Sequence, residues 1–395
     1  MKLIWAHDHY FIFDTLTKEY YSEIEFGYDI WERYLYSFDN ILVIARVIER
    51  EVTEAEKRKF NLSSGKKVEF LHLPNINNIE QKIKKSLFVK KEIMQAVKNA
   101  DAIVSRLPSQ IGMMVLDSAE KHGKPSAIEL VGCPDEALGN LKNFKAKLYR
   151  PYMVKKTKKL VEKSPYTLYV TKKYLQKKYP SFGKTIACSN VVLEKNNYEK
   201  VEFQRINEKN IVKIGLIGYL SEYKGIDTAF NICMQLDKSD IKFKLEILGG
   251  GNREKWVEKA KNSGIDLSKV KFLTLPRGEA VLNWLKNIDI YIQPSRTEGL
   301  PRGLIEAMSV GRIAVGSNVG GIPELLSREN VFDKEDYYSM SERIIEIVRD
   351  LELQREISLK NIEVANEYSF SNLDTKRKEF WKNFHDEARL TRGRG

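Results

Sequence analysis

A chain of 395 residues exceeds what one hydrophobic core commonly supports, so two domains are expected, each with its own core and a cleft between them. Apolar content of 42% with 30% charged residues is globular, no stretch is long and apolar enough to span a bilayer, and "MKLIWAHDHYF" at the start lacks the apolar core and cleavage site of a signal peptide. The three cysteines, Cys133, Cys188 and Cys233, are scattered without metal-ligand spacing, which fits a reducing cytoplasm.

In chain order, residues 2–6 read as a short apolar strand, "DIWERYLYSF" as a helix and "NILVIARV" as a buried run. "DAIVSRL" (101–107), "PSAIELVG" (125–132) and "YTLYVT" (166–171) read as buried strands, separated by segments of helical spacing such as "GMMVLDSAEKHGK". That alternation predicts a parallel sheet covered on both faces. Between 142 and 178, Lys and Arg occur thirteen times, with Glu162 the one acid. Phe144, Tyr149, Tyr152, Tyr166, Tyr169, Tyr174 and Tyr179 interleave with them. This positive field is either a solvated helix face or a surface for anionic lipid. On the second reading, neutralising Lys155, Lys156, Lys158 and Lys159 releases the protein from anionic vesicles. No nucleic-acid module signature accompanies the stretch, so nucleic acid is not an expected partner.

After the polar linker-like segment "LEKNNYEKVEFQRINEKN" (193–210) the strand and helix alternation resumes, with strands expected near 211–217, 243–248, 270–275, 288–293 and 312–316. Each is followed by a helical segment opened by Gly, Asn or Pro, a second doubly wound unit. The chain from about 334 is helical and charged, with Phe380, Trp381 and Phe384 suited to docking, and "RLTRGRG" reads as disordered.

Within the second series, "EGLPRGLIEAM" places Glu298 and Glu306 eight positions apart around a turn that follows the strand-like "DIYIQPSR". The spacing alone means nothing, since Glu246 and Glu254 share it. Context gives Glu298 two readings. It is either a cap on a helix running from Pro301 to about Val310, or it lies in the crevice beside a helix N-terminus that is a ready anion site. Glycines at successive strand ends favour a phosphate-binding surface: Gly218 before Lys224, then Gly249, Gly250 and Gly251, then Gly320 and Gly321.

The string "PSRTEGLPRGLIEAMSVGRIAVGSNVGGIPELL" resembles the donor-site signature of retaining nucleotide-sugar glycosyltransferases of family 4, which have the GT-B fold. The likeness runs from "IGLIGYLSEYKGID" onward. "YDIWERYLYSFDNILVIARV", "AIVSRLPSQIG", "AIELVGCP" and "LYVTKKYLQKKYP" resemble members that build bacterial surface polysaccharides. The resemblance implies an α/β chain of two Rossmann-like domains facing a central cleft. Residues 1–192 would bind acceptor, 193–370 would bind donor, and a helix over 371–390 would return to the first domain. It implies Glu298 and Lys224 as catalytic residues, Glu298 on the transferred sugar, Lys224 on the diphosphate and Glu306 on the ribose. Gly218, Tyr219, Gly249, Arg277, Gly299, Leu300, Pro301 and Arg302 would complete the donor site. Asp8, Gly27, Arg106 and Glu129 are the acceptor-side candidates.

The implied reaction is metal-independent and retaining, with no cofactor beyond a UDP- or GDP-sugar donor. The implied acceptor is a saccharide, lipid-linked, handled in the cytoplasm or at the cytoplasmic face of the inner membrane. Two departures qualify this. Tyr219 stands where relatives carry an arginine, a role that Arg302 or Arg277 would have to fill. Val131 or Gly132 stands where many carry a histidine, a role that Glu129 or Arg106 would take. His7 and His9 either face the cleft or are structural. An epimerase of the same architecture and a non-catalytic nucleotide-sugar-binding protein are the rival readings.

Overall fold

The computed structural model describes residues 1–23, 26–73, 79–139, 144–193, 203–208, 210–276 and 278–392; the side chains of 79–86, 145 and 392 are excepted. The segment expected as a linker therefore lies mostly outside the described residues. The chain divides into two compact units. Unit 1 comprises Met1–Val170, Leu175–Cys188 and Asp374–Gly395, and unit 2 comprises Thr171–Tyr174 and Ser189–Leu373.

Unit 1 contains strands β1 (Lys2–Asp14), β2 (Tyr20–Ser22), β3 (Asn40–Arg50), β4 (Asn61–Leu62), β5 (Val68–Leu73), β6 (Ala102–Leu107), β7 (Ser126–Leu130), β8 (Tyr166–Tyr169) and β9 (Lys184–Ala187). Its parallel sheet runs β5-β3-β1-β6-β7-β8-β9, with β2 and β4 added antiparallel beyond the first part of β1. The strand expected at residues 2–6 is longer than its polar "HDH" suggested. Pairing with β3 shifts register between Ala6 and Tyr10 and then continues, because the apolar Phe11 and Ile12 are buried there. Trp5, Phe11, Phe26 and Trp31 form an edge-packed aromatic cluster around that strand.

Unit 2 contains β10 (Val212–Ile217), β11 (Phe243–Leu248), β12 (Val270–Leu273), β13 (Ile290–Gln293), β14 (Ile313–Ser317) and β15 (Val331–Phe332). All pair in parallel in the order β12-β11-β10-β13-β14-β15, a doubly wound arrangement with the order reversing beside β10. The strands are near-continuous apolar runs because helices cover both faces. Ile214, Leu216, Ile290 and Ile292 are essentially inaccessible, each stabilising the unit by about 1.5–3 kcal/mol relative to exposure.

Helix Phe370–Arg392 leaves unit 2 and enters unit 1 at Asp374. Trp381 is fully buried against Tyr34 and Phe380, Phe384 packs on Phe38 and Tyr166, and Glu387 accepts from Tyr166 and Lys184. Residues 389–392, expected to be disordered, are its last helical turn, continuing the buried Ala388.

Candidate functional site

The site in unit 2 is assembled from loops at the carboxyl ends of its strands. Gly218, just past β10, donates its N–H to Leu248 at 3.0 Å, and Gly249, just past β11, lies so close that a side chain there would stand 1.9 Å from the Gly218 carbonyl oxygen. Only glycine permits that approach. On the other side of β10, Gly320 has φ +55° and its missing Cβ would fall 1.9 Å from the Glu298 carbonyl oxygen, while Gly321 donates to Gly299 at 2.7 Å. These glycines thus bring the loops after β10, β11, β13 and β14 together through backbone.

Into this backbone surface project one anion and one cation. Glu298 Oε1 accepts from Lys224 Nζ at 2.5 Å, Ser295 Oγ at 2.8 Å and Gln293 Nε2 at 2.9 Å. Both side chains of the ion pair are largely shielded, Glu298 9% and Lys224 14% exposed. Among the described residues, Oε2 of Glu298 accepts no hydrogen bond. A carboxylate held on one oxygen presents the other as an acceptor, suited to a hydroxyl. The cap reading of Glu298 does not hold: helix Arg302–Ser309 has Pro301 as its N-cap with no side-chain cap bond, one residue later than expected. Its first amides follow directly on the Gly299, Leu300 and Pro301 turn.

That helix buries Leu304, Ile305 and Met308, and Gly303 brings it within van der Waals range of Ile217 and the Tyr291 hydroxyl. Burial, and then the nearby charges of Glu298 and Glu306, push the Tyr291 phenol well above its ordinary pKa. The two glutamates therefore share one surrounding. The Tyr291 hydroxyl donates to Gln293 Oε1 at 2.8 Å, and through Gln293 Nε2 the chain of bonds ends on Glu298. Arg302, half-exposed, approaches Glu306 at 3.9 Å. Tyr219 is 62% exposed, and Arg277 lies outside the described residues.

Lys224 sits in the 3₁₀ turn Glu222–Lys224, and Arg296 clamps that turn. Its guanidinium forks onto Asp227 at 3.0 and 2.7 Å, bonds Glu335 and the Glu222 carbonyl, and its own N–H donates to Tyr223 at 2.8 Å. These partners raise its pKa further above an already high value. Lys255 and Lys259 hold the Glu222 carboxyl down to about 2. Glu324, from the "GGIPELL" segment, accepts from the backbone N–H groups of Lys172 at 2.5 Å, Lys173 at 2.9 Å and Tyr174 at 2.5 Å.

Residues 198–363, which contain Lys224, Arg296, Glu298 and Glu306, match the family Glycosyl transferases group 1. The chain carries a group 1 glycosyltransferase domain. Over 97% of its length it is 29% identical to Protein CapJ of Staphylococcus aureus, covering 96% of that protein. It is 33% identical over 121 residues to the amylovoran biosynthesis glycosyltransferase AmsK of Erwinia amylovora, 29% of this chain and 30% of that one. HepE of Anabaena, solved in complex with UDP-glucose, superposes with a TM-score of 0.64 at 14% identity, covering 96% of this chain and 98% of that one. The fold is GT-B, two parallel-sheet α/β domains.

The group 1 domain accounts for unit 2. In unit 1, the acceptor-side candidates fall into two groups. Arg106 and Glu129 are register partners on β6 and β7 and both are buried. Trp5 Nε1 donates to Tyr34 Oη at 3.1 Å, and Tyr34 donates to Glu129 Oε1 at 2.6 Å. Arg106 lies 4.9 Å from the Phe26 ring centre. Burial, followed by the Arg106 charge and then His9, pulls His7 down to about 3, so its ring is neutral at pH 7. Asp8 instead accepts from the amides of Gln110 and Ile111 at the start of helix Gln110–Lys121, and Gly27 is the N-cap of helix Tyr28–Leu35. His9 bonds Ser22 at 2.7 Å.

Sequence reasoning missed Tyr291, Gln293, Ser295 and Arg296. A signal existed for two of them: Tyr-Ile-Gln at the end of an apolar strand puts two polar side chains on the same face. Trp5 and Tyr34, remote in sequence from Glu129, gave none.

Proposed function

We propose that the chain is a retaining, family 4 type hexosyltransferase. It moves a sugar from a nucleoside diphosphate donor, UDP- or GDP-linked, to a saccharide acceptor carried on a lipid, in the cytoplasm, as a step in building a surface polysaccharide. The observation that carries this reading is the shielded Lys224 and Glu298 pair at the strand ends of a group 1 glycosyltransferase domain. The amylovoran biosynthesis relative supports a polysaccharide product.

In this reading the Lys224 ammonium, with one of its three protons on Glu298, directs the others to the diphosphate, together with the amides that follow Gly218 and Pro301. Oε2 of Glu298 accepts from sugar hydroxyls, and Glu306 accepts from the ribose. Charge builds on the departing diphosphate, so the fixed cation and amides lower the barrier more than a proton donor would. The acceptor hydroxyl attacks the anomeric carbon on the face the diphosphate leaves, and a diphosphate oxygen takes the proton, so configuration is kept. No metal ion takes part in this scheme.

Isothermal titration with UDP and with GDP tests it. One nucleotide binds, and Lys224→Ala and Glu306→Ala each weaken it about tenfold or more. If neither nucleotide binds, the donor site is misplaced. The exposed Tyr219, a phenol where relatives carry a cation, favours a second reading as a non-catalytic binding protein, in which nucleotide binds and no sugar is turned over.

A further inference from the structure

Helix Phe144–Lys163 presents two unlike faces. Ala146, Met153, Thr157 and Val161 are buried against unit 1. On the flanks, cations are neutralised within the protein: Arg150 on Asp135 at 2.8 Å, Lys156 on Asp117 at 2.5 Å and Lys163 on Glu120 at 2.9 Å. The outward face differs in both respects. Phe144 is 73% exposed, Leu148 65% and Tyr152 55%, successive positions four apart on one stripe. Further along the same arc stand Lys155, Lys158 and Lys159, all exposed, with no ion pair among the described residues. Glu162 is the one acid on that arc.

The exposed apolar side chains thus lie toward the N-terminal end of the helix, with Lys147 among them, and Lys155, Lys158 and Lys159 lie toward its C-terminal end. A surface for nucleic acid would set aromatic rings among the cations to stack bases. Here the lysine end carries no exposed ring, and the apolar end exposes a leucine, which does nothing for a base. Exposed apolar side chains beside unneutralised lysines suit a helix lying in the plane of an anionic bilayer. We propose that this face docks the protein on anionic lipid, Phe144, Leu148 and Tyr152 entering the interfacial layer while Lys155, Lys158 and Lys159, with the exposed Lys147, meet lipid phosphates. Lys156, which the charge pattern alone would include, is excluded because Asp117 holds it. The purpose of such docking rests on the lipid-carried acceptor proposed above, whereas its chemistry rests on the helix face alone.

The test is co-sedimentation of the full chain with large unilamellar vesicles of phosphatidylcholine, with and without one-third phosphatidylglycerol. The wild type binds the anionic vesicles, less at high salt, and not the neutral ones. The set Lys147→Gln, Lys155→Gln, Lys158→Gln and Lys159→Gln, and separately Phe144→Ser, Leu148→Ser and Tyr152→Ser, each lower partitioning about tenfold or more. A control set removes the same charge from exposed lysines of unit 2: Lys242→Gln, Lys244→Gln, Lys271→Gln and Lys286→Gln. It changes partitioning by less than about twofold. Equal loss in the control set, no loss in the helix sets, or binding of single-stranded RNA in place of vesicles overturns the proposal. UDP and GDP titration of the same variants separates the two readings. Vesicle binding without nucleotide binding sinks the transferase reading and leaves the docking face standing, and the converse does the reverse.

Discussion

Glu129 and Glu298 occupy comparable places, each near the carboxyl end of a parallel sheet, each shielded, each with a cation nearby, yet their surroundings differ in kind. Glu298 is met by a lysine, a glutamine and a serine inside walls made of glycine backbone. Glu129 is met by a phenol, itself bonded to an indole, with a buried arginine on the next strand lying over a phenylalanine ring. Backbone walls leave room beside the carboxylate, which on the reading proposed above would take phosphate and sugar oxygens. Aromatic walls fill the space and fix one geometry for the carboxylate. The same strand-end position thus yields a polar receiving surface in one unit and a packed polar core in the other.

The comparison breaks most sharply at Glu298. Glu298→Ala leaves the shielded Lys224 ammonium without its anion and is expected to lower stability by about 3 kcal/mol in urea denaturation. Glu298→Gln, which keeps an acceptor, should lose less stability while still impairing turnover. If both variants are as stable as the wild type, the ion pair contributes nothing to the fold. Tyr34→Phe tests the other side. It strips Glu129 of a donor and Trp5 of an acceptor, an expected loss of about 2 kcal/mol with UDP and GDP affinity unchanged. A change in nucleotide affinity would end the division of roles drawn here.

The smallest effect is a pH dependence in unit 1. The folded protein holds His7 at about 3, whereas an unfolded histidine titrates near its ordinary value. Above that value both states are neutral and pH has no effect. As pH falls through it the unfolded state takes up a proton that the folded state refuses, so stability falls. Between pH 7.5 and 5.5 the wild type is expected to lose about 1.4 kcal/mol more than His7→Asn. Identical pH profiles for the two proteins would mean that His7 titrates in the folded protein as it does in the unfolded one.

The clustering of the strand-end loops in unit 2 was legible because its parts lie in short strings, where glycines, a lysine and two glutamates follow strand ends at fixed offsets. Arg296 lay inside the same string unnoticed. Its role depends on Asp227 and Glu335, 69 and 39 positions away, and nothing local marks a clamp of that kind. The aromatic network of unit 1 was not legible for the same reason, since Trp5, Tyr34, Arg106 and Glu129 come from four separate segments. The polar "HDH" misled in another way, because a register shift inside a strand resembles its end when only hydropathy is read.

The path of the chain has a consequence for biosynthesis. In unit 1, Tyr34, Phe38 and Tyr166 pack against Trp381 and Phe384, which are translated after all of unit 2. The first unit to be made on the ribosome is therefore the last to be completed. Until residues 374–392 emerge, its Tyr34 and Tyr166 rings stand uncovered, an apolar face of the kind that chaperones hold. A stop codon just before Asp374 would spare every residue of the proposed nucleotide-sugar site and still leave the nascent protein open to aggregation through its N-terminal half.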